Sequence, residues 1–570
     1  ALDDWKATRN LTLNLGMRVE INGAFHDDLC YIGNIDQSLA AAGSYPMIYG
    51  ACANSLGVPG LTGSGNNTTY KNNYATGLAP RIGLAYDLAG DGKTSIRAGY
   101  GIYYVREDVG SVDQLSFQAP FLPITFGGGL PGCLGTYFSA SAPANCIPAG
   151  FTSNPNALPT AGTLSASFLP CTSALLGFNN NDPKQAANYG CANGSPGSVP
   201  TQYLFVLAVP RRFVSPSTQQ WNLTIQRDLG KQWILEVGYV GTHAVHLRET
   251  RTDIPERLAS TANPINVKAE NGTTYQITTN TIANGPIRSS NQGINGYSGF
   301  QIFADDAYSH YNALQTTVSR RWGHGYFQAG YTFSKSMDAT SSGNTAFNTA
   351  FNDESNLSNS YGLSDFDRPH RLAVSYRYDL PFFSAAEGWK RAALGGWAIS
   401  GITIIQSGTP FSVLDSLAGS AFVGPGYTTT LTASLAPGGN IAKGYTGGGI
   451  QNEVNNGYLN ASNFTPAPYL YYSGTCPDQT GNTCVTTFGN LGRNTFRGPY
   501  QQNWDFSLMK NFHLTERFNL RFSTDFFNIW NHANFANPAV TDVEAGSSFG
   551  RIISTVGTPR LIQFSLRLAF

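Results

Sequence analysis

The last nine residues of the chain alternate strictly between apolar and polar side chains. Ile562, Phe564, Leu566, Leu568 and Phe570 share one face of an extended strand, and the residues between them share the other. A period of two is typical of a β-strand that lies between two unlike surroundings. Such a strand suits either a half-buried soluble sheet or the wall of a transmembrane barrel.

Similar alternating segments recur along the whole chain, each close to ten residues long. Ala1 to Trp5 indicate a turn that leads into the first of them. In all, the pattern predicts about twelve strands, centred on residues 11–19, 82–88, 96–104, 221–225, 233–239, 314–318, 327–333, 372–378, 397–399, 504–508, 518–522 and 562–570.

The predicted connections alternate between short turns and long loops. Gly90-Asp91-Gly92 is typical of the short turns and suits a β-hairpin. Loops this long argue against a compact soluble domain, and the alternation is that of an outer-membrane barrel with periplasmic turns and extracellular loops. The sequence therefore predicts an all-β, antiparallel transmembrane β-barrel with a periplasmic C-terminus. The long loops run roughly over residues 22–78, 106–213, 247–308, 337–368, 412–500 and 531–558.

The composition supports a membrane protein that crosses with strands. Charged residues make up only 12% of the chain, against about 25% in soluble proteins. The net charge is zero, so nothing indicates a nucleic-acid partner. There is no run of about 18 apolar residues, which excludes a transmembrane helix. There is also no signal peptide, so we expect a processed or truncated chain.

The eight cysteines all fall in the predicted long loops. An even count outside the strands indicates disulfides that form in an oxidising compartment such as the periplasm. Four of them lie within residues 106–213, where three pairings are open. Pairing by proximity joins Cys30 with Cys52, Cys133 with Cys146, Cys171 with Cys191, and Cys476 with Cys484.

Charged side chains on the polar sides of the predicted strands are candidates for a polar lumen of mixed sign. They could form ion-pair ladders between neighbouring strands, or they could contact a plug or a passing ligand. No catalytic motif accompanies them, so we expect no enzyme activity, cofactor or metal site. The candidates are Arg18, Glu20, Asp87, Arg97, Glu236, Arg321, Arg377, Asp379, Asp505, Arg521, Asp525 and Arg567.

Two further groups carry polar chemistry. Residues 367–371 combine Asp, Arg and His at the entry to a strand, which suits acid–base chemistry or anion binding. A network of salt bridges and turns at the barrel rim is the interpretation we favour. His243 and His246 are three residues apart on a predicted strand and should face opposite sides, which disfavours a metal site.

Several stretches together resemble the C-terminal barrel of TonB-dependent outer-membrane receptors, of the Oar-like type common in acidobacteria. Each stretch is short, and it is their number and order that make the resemblance specific. They include SIRAGYGIYY (95–104), QQWNLTIQRDLG (219–230), GYTFSKSMD (330–338), FDRPHRLAVSYRYDLP (366–381) and GNLGRNTFRGPYQQNWDFSLMKNF (489–512).

The resemblance implies more than the residues themselves show. It implies a 22-stranded barrel with an N-terminal plug, and a TonB box that contacts the TonB–ExbB–ExbD machinery. The signal peptide, plug and TonB box have no counterpart in residues 1–570, so this chain corresponds to the C-terminal part of the barrel. The implied function is energised uptake of a ligand, such as an oligosaccharide, peptide or chelate, that the extracellular loops bind. A passive porin-like channel and a surface adhesin are the alternatives.

Overall fold

A computed structural model describes about three fifths of the chain with defined structure. The described residues are 2–25, 32–35, 47–49, 62–63, 71–72, 77–105, 115, 125–126, 203–252, 262–268, 274–277, 297–341, 352, 356–383, 388–416, 430–466, 488–515 and 517–570.

Thirteen strands form the main path of a sixteen-stranded sheet, and along this path the spatial order follows the chain order. They confirm the predicted all-β antiparallel fold. They are β1 (Leu2–Lys6), β2 (Leu11–Val19), β3 (Leu78–Asp87), β4 (Thr94–Tyr104), β5 (Ser217–Gly230), β6 (Trp233–Thr252), β7 (Tyr297–Trp322), β8 (Gly325–Asp338), β9 (His370–Asp379), β10 (Trp397–Gln406), β11 (Gln501–His513), β12 (Asn519–Phe527) and β13 (Leu561–Ala569).

Three details of the sequence-based prediction are wrong. Residues 2–6 are not a turn but the first strand, which pairs antiparallel with β2. The loop predicted for residues 247–308 is shorter, since β6 continues to Thr252 and β7 begins at Tyr297. The turn expected at residues 228–230 lies at Lys231 and Gln232, both of which adopt positive φ as a two-residue hairpin turn requires.

The connections alternate in length as predicted. Because the sheet is antiparallel throughout its main path, alternate connections lie at the same edge. The short turns, such as residues 323–324 between β7 and β8, define the hairpin edge. The connections of 31 residues or more, such as residues 407–500 between β10 and β11, define the loop edge.

The strand register sorts the side chains onto two chemically different faces. Leu223 pairs with Ala98 and Tyr239, and the same face continues along the sheet to Phe564 and Leu566 on β13. This apolar face is exposed: Leu223 is 47% exposed and Leu566 is 68% exposed. A soluble protein rarely leaves such a surface uncovered, whereas a lipid-facing wall requires it.

Aromatic and cationic side chains line the apolar face at the hairpin edge. The Arg320 guanidinium carbon lies 5.3 Å from the ring centre of Trp233 and 5.1 Å from that of Trp322. Lys510 lies 5.3 Å from the ring of Trp397, and its ammonium donates to the carbonyl oxygen of Gly395. Aromatic rings with a polar partner are typical of a membrane–water interface.

The described part of the sheet has two outer strands, β1 and β13, with no pairing between them. An odd number of consecutive antiparallel strands makes the first and last strands run in the same direction. Closing thirteen strands alone would therefore require a parallel pair, whereas bacterial barrels have an even number of antiparallel strands.

A compact unit, here called the cap, forms at the loop edge from residues 407–416, 430–466, 488–500 and 528–560. Its core contains Phe411, Tyr458, Phe464, Phe496 and Phe549, and the ring of Phe496 lies 5.4 Å from that of Phe464. The cap holds strands Pro410–Phe411, Ser434–Leu435, Phe464–Thr465, Phe496–Arg497, Asn534–Phe535 and Thr555–Val556, helix Ile450–Asn456, and 3-10 helices Ile441–Gly444, Ala461–Asn463 and Val543–Ser548.

The remaining short elements belong to the other connections. Helix Gly388–Leu394 lies between β9 and β10, and none of the described helices has the length and apolarity to cross a membrane. The other elements are the 3-10 helix Leu357–Asn359 and strands Asn34–Ile35, Met47–Tyr49, Thr62–Gly63, Lys71–Asn72, Thr125–Phe126, Tyr203–Ala208, Arg212–Phe213, Ile265–Lys268, Thr274–Ile277 and Gly362–Leu363.

Candidate functional site

The twelve charged candidates all lie on the polar face of the main sheet. The register links them through consecutive partners: Arg97 pairs with Thr224, Thr224 with Gly238, and Gly238 with Gln315. On the far side of the sheet, Asp525 pairs with Ser507 and Gln563. Eleven of the candidates are within strands, and Glu20 directly follows β2. All twelve candidates therefore share the face opposite the apolar one, on which the cations Arg320 and Lys510 pack against aromatic rings at the hairpin edge.

Several candidates have local partners. Arg18 and Glu20 form an ion pair at 3.0 Å, and Arg377 and Asp379 form another at 3.2 Å. Both pairs join residues two apart on one strand and its direct extension, rather than neighbouring strands. These four residues therefore do not form the expected ion-pair ladders between neighbouring strands.

Other candidates contact uncharged groups. Asp87 accepts hydrogen bonds from the amides of Gly90 and Gly92, both with φ of 71°, so its carboxylate stabilises the hairpin turn. Asp525 accepts from the hydroxyls of Ser507 at 2.5 Å and Ser523 at 3.1 Å. Further contacts run from the Arg521 Nε to Asn511 Oδ1 at 2.9 Å and from the Asn528 amide to Asp505 Oδ1 at 3.0 Å.

The polar face is indented near the hairpin edge by a depression of about 690 Å³. Arg97 of β4 and Arg321 of β7 line it, together with Lys93 and Asp228. Residues from four strands surround one space, so the polar face is concave here. Glu236 and Arg567 lie elsewhere on the same face, and Arg567 is the register partner of Arg521.

A second depression, of about 410 Å³, indents the polar face at the loop edge and is called the rim pocket below. It lies between β7, β8 and the residues that lead into β9. Its lining combines aromatic, hydroxyl, amide and guanidinium groups: Tyr311, Gln315, Thr332, Ser334, Ser336, Phe366, Asp367, Arg368 and Arg371.

A buried ionic network, the arginine bracket, attaches the cap to the main sheet beside the rim pocket. The side chain of Arg493 is only 3% exposed, and its Nη1 lies 2.6 Å from Asp338 Oδ1 at the end of β8. Its Nη2 donates to Asp365 Oδ1 at 2.9 Å and to the hydroxyl of Ser341 at 2.6 Å. A guanidinium with several charge-assisted hydrogen bonds fixes the relative position of the segments that it joins.

The bracket continues through Arg497 and Asp367. Arg497 Nη2 donates to Asp367 Oδ2 at 2.6 Å, and the amide of Ser336 donates to Asp367 Oδ1 at 2.7 Å. Arg368 donates from Nη1 to the carbonyl oxygen of Ser407. These contacts confirm the rim network as the role of Asp367, since both of its carboxylate oxygens are occupied.

The two histidines on β6 lie where the strand is irregular. The pairing between β6 and β7 shifts between Ala244 and Leu247, and His246 has a φ of 57°. The simple alternation that was expected for this pair therefore does not apply. His243 instead stacks on His310 of β7, with ring centres 4.1 Å apart.

The sequence also predicts disulfides between the cysteines and no metal site. All eight cysteines, and therefore the predicted disulfides, lie outside the described residues. Within the part of the chain that the structure describes, no cluster of His, Cys, Asp or Glu could hold a metal ion.

Sequence reasoning missed the central residues of the bracket. Asp338, Arg493 and Arg497 all lie within stretches that carry the family resemblance, which was the available signal. Their pairing joins segments 155 and 130 residues apart, and no local pattern specifies such a contact.

Comparison with known proteins gives one family and several similar structures. A family model described as an outer membrane beta barrel domain matches residues 1–563. The chain is similar to the outer membrane transporter YddB from Escherichia coli, at 9% identity and a TM-score of 0.39, covering 98% of this chain and 43% of that one. It is also similar to the siderophore receptor PirA from Acinetobacter baumannii, at 8% identity and a TM-score of 0.37, covering 100% and 45%.

A third similar structure is the ferripyoverdine receptor of the outer membrane of Pseudomonas aeruginosa, at 11% identity and a TM-score of 0.34, covering 100% of this chain and 37% of that one. The chain thus spans less than half the length of these solved chains. No curated protein matches it.

Proposed function

Because this chain belongs to the outer membrane beta barrel domain family, and so to the bacterial outer membrane, we propose that it is the C-terminal part of a TonB-dependent transporter of the Oar-like type. The observation that carries a transport role is the concave polar face, with its depressions of about 690 Å³ and 410 Å³. A wall that is apolar outside and polar inside encloses a path for hydrophilic solutes.

In this proposal the twelve charged candidates face the lumen. Their partners support the assignment, because Arg18 pairs with Glu20 and Arg377 with Asp379, and paired charges within membrane proteins face the interior rather than the lipid. Arg97 and Arg321 line the larger depression, where a plug or a passing solute would meet them.

The hairpin edge lies on the periplasmic side and the loop edge outside, with the C-terminus in the periplasm. Short turns on one side and long connections on the other support this orientation. The cap and the long connections then capture the ligand at the cell surface.

The wall needs strands beyond these thirteen. In lipid an unpaired strand edge leaves backbone groups unsatisfied, so β1 and β13 require partners. Closure with antiparallel pairs needs an odd number of further strands. The 22-stranded barrel implied by the resemblance supplies nine, which satisfies this condition.

Energy comes from the TonB–ExbB–ExbD machinery through an N-terminal plug and TonB box, as the resemblance implies. We would test this with the native protein from outer membranes, by intact mass, N-terminal peptides and retention on the immobilised C-terminal domain of TonB. A mass well above 61.2 kDa with upstream peptides and retention on TonB supports the proposal.

A mass near that of this chain, with no retention on TonB, would contradict it. Conductance in planar bilayers separates the alternatives. Large steady currents from the native protein would indicate a passive channel. Silence combined with failure to bind TonB would indicate a surface adhesin.

A further inference from the structure

The rim pocket has a volume and a lining that suit a small ligand. Its volume of about 410 Å³ lies within the range of small-molecule sites. It opens on the polar face at the loop edge, where a solute that enters past the cap first meets the wall. The arginine bracket holds one of its sides, so the pocket is built on fixed segments.

Among the described residues, no acidic neighbour neutralises the positive charge of Arg368 and Arg371 in this pocket. Asp367, the acid in its lining, uses one oxygen for Arg497 and the other for the Ser336 amide. Arg368 donates to a neutral carbonyl oxygen, that of Ser407. Within the described residues, neither Arg368 nor Arg371 forms an ion pair with a carboxylate.

The electrostatics of Arg368 reflect this excess. Burial lowers the pKa of its guanidinium from the usual value, and the positive charges of Arg371 and Arg497 lower it further. An anion placed between the guanidiniums would remove that repulsion. Guanidinium groups hold carboxylates and phosphates through paired hydrogen bonds, so the two anions are equivalent here.

The rest of the lining matches a hydroxylated ring. The side chain of Phe366 is 62% exposed beside a polar wall, which leaves its ring free to stack on the apolar side of a sugar. Gln315 and Thr332 are register partners on β7 and β8. With Ser334 and Tyr311 they present amide and hydroxyl groups that both donate and accept hydrogen bonds.

We propose that the rim pocket binds an anionic saccharide, with Arg368 and Arg371 holding its carboxylate or phosphate and Phe366 stacking on its ring. The inference deepens the proposed function and rests on it, since it names the class of solute that the polar face admits.

The test is calorimetric titration of the full-length protein, purified in detergent without TonB, with two matched pairs of probes. Digalacturonate and its dimethyl ester share their rings but differ in charge, as do glucose 6-phosphate and glucose. We expect at least one acid to bind at least tenfold more tightly than its neutral partner. The pair that shows the difference identifies the anion as carboxylate or phosphate.

Titration of single-residue variants tests whether the probes bind in this pocket. Arg371→Gln should abolish the preference for the acid, Arg371→Lys should retain part of it, and Phe366→Leu should weaken the acid and the neutral partner alike. Arg517→Gln is the matched control, because it removes the same charge from an exposed hairpin turn and should leave binding unchanged. Heat-modifiable migration on gels checks that each variant is folded.

Equal affinity for acids and neutral partners, or no binding by any probe, would overturn the inference. So would an acid preference that survives in folded Arg371→Gln protein, because the anion would then bind elsewhere. Since the assay contains no TonB and no energy source, its failure is distinct from failure of the transport proposal, which shows in native mass and TonB retention.

Discussion

Removal of the Arg493 side chain should release the cap from the main sheet. In Arg493→Met protein, the Asp338 side chain, which is 5% exposed, would lose its cationic partner, and among the described residues only the hydroxyl of Ser341 would still donate to its carboxylate. Breaking one side of a buried ion pair typically costs about 3–5 kcal/mol. Arg493→Lys keeps the charge but loses the planar fork, so we expect a smaller loss.

Hydrogen exchange of cap amides measures this cost directly. The amide of Leu491, bonded to the carbonyl of Ala433, and that of Ala433, bonded to Val413, report on cap opening. Since 1.4 kcal/mol is tenfold, Arg493→Met should lower their protection by about a hundredfold or more. Protection in β3 and β4, which are separated from the cap by several strands of the sheet, should not change.

The double variant Asp338→Asn with Arg493→Met separates charge from packing. Because it removes both charges of this buried pair, it should be more stable than Arg493→Met alone. If cap protection in Arg493→Met stayed within about threefold of the wild type, the bracket would not hold the cap and the reasoning would be wrong.

Three further predictions concern the faces and the cap. Leu223→Arg places a charge on the apolar face and should lower the free energy of unfolding by about 2–4 kcal/mol, measured by urea titration in liposomes. Thr224→Arg, at the next residue on the polar face, should fold normally. Equal effects of the two variants would refute the assignment of faces. Burial raises the pKa of Tyr458 above the usual 10.0. The stability of the cap should therefore be constant below pH about 10 and decline above it, because the unfolded chain loses this proton first. Phenolate absorbance should show a tyrosine that ionises at a higher pH than the others, and Tyr458→Phe should remove that transition. Gly489→Ala should disrupt the cap in limited proteolysis, because its Cβ would lie 1.8 Å from the carbonyl oxygen of Thr432, while Gly323→Ala meets nothing within 4 Å and serves as the control.

The sequence predicts the long strands well because each has one lipid-facing and one polar side, and alternation records that difference. Strand β1 escaped this reasoning because Asp3 and Asp4 interrupt the alternation, and its pairing with β2 supplies what the local pattern lacks. The extension of β6 was missed for a similar reason. Arg248, Glu249 and Thr250 are buried polar residues, so this part of the strand lacks the alternation of apolar and polar side chains that marks a lipid-facing strand.

For the candidate site, the sequence predicts which side of the sheet carries the charged residues but not which of them lie close together. Alternation predicts that the twelve charged candidates share one side of the sheet, and the register has them on one face. Alternation does not show which candidates line the same depression. Arg97 on β4 and Arg321 on β7 line one depression although two strands separate them. The rim pocket depends further on the bracket, whose partners come from connections rather than strands.

The core of the cap has a consequence for how the molecule is recognised by others. Phe464 of one connection packs against Phe549 of the other, with ring centres 5.5 Å apart, so neighbouring surface positions come from distant parts of the chain. If the loop edge faces outward as proposed, an antibody or phage that binds the cap would read a discontinuous epitope. Linear peptides from either connection would then compete poorly for such a binder, and escape variants would arise at core positions as well as at contact positions.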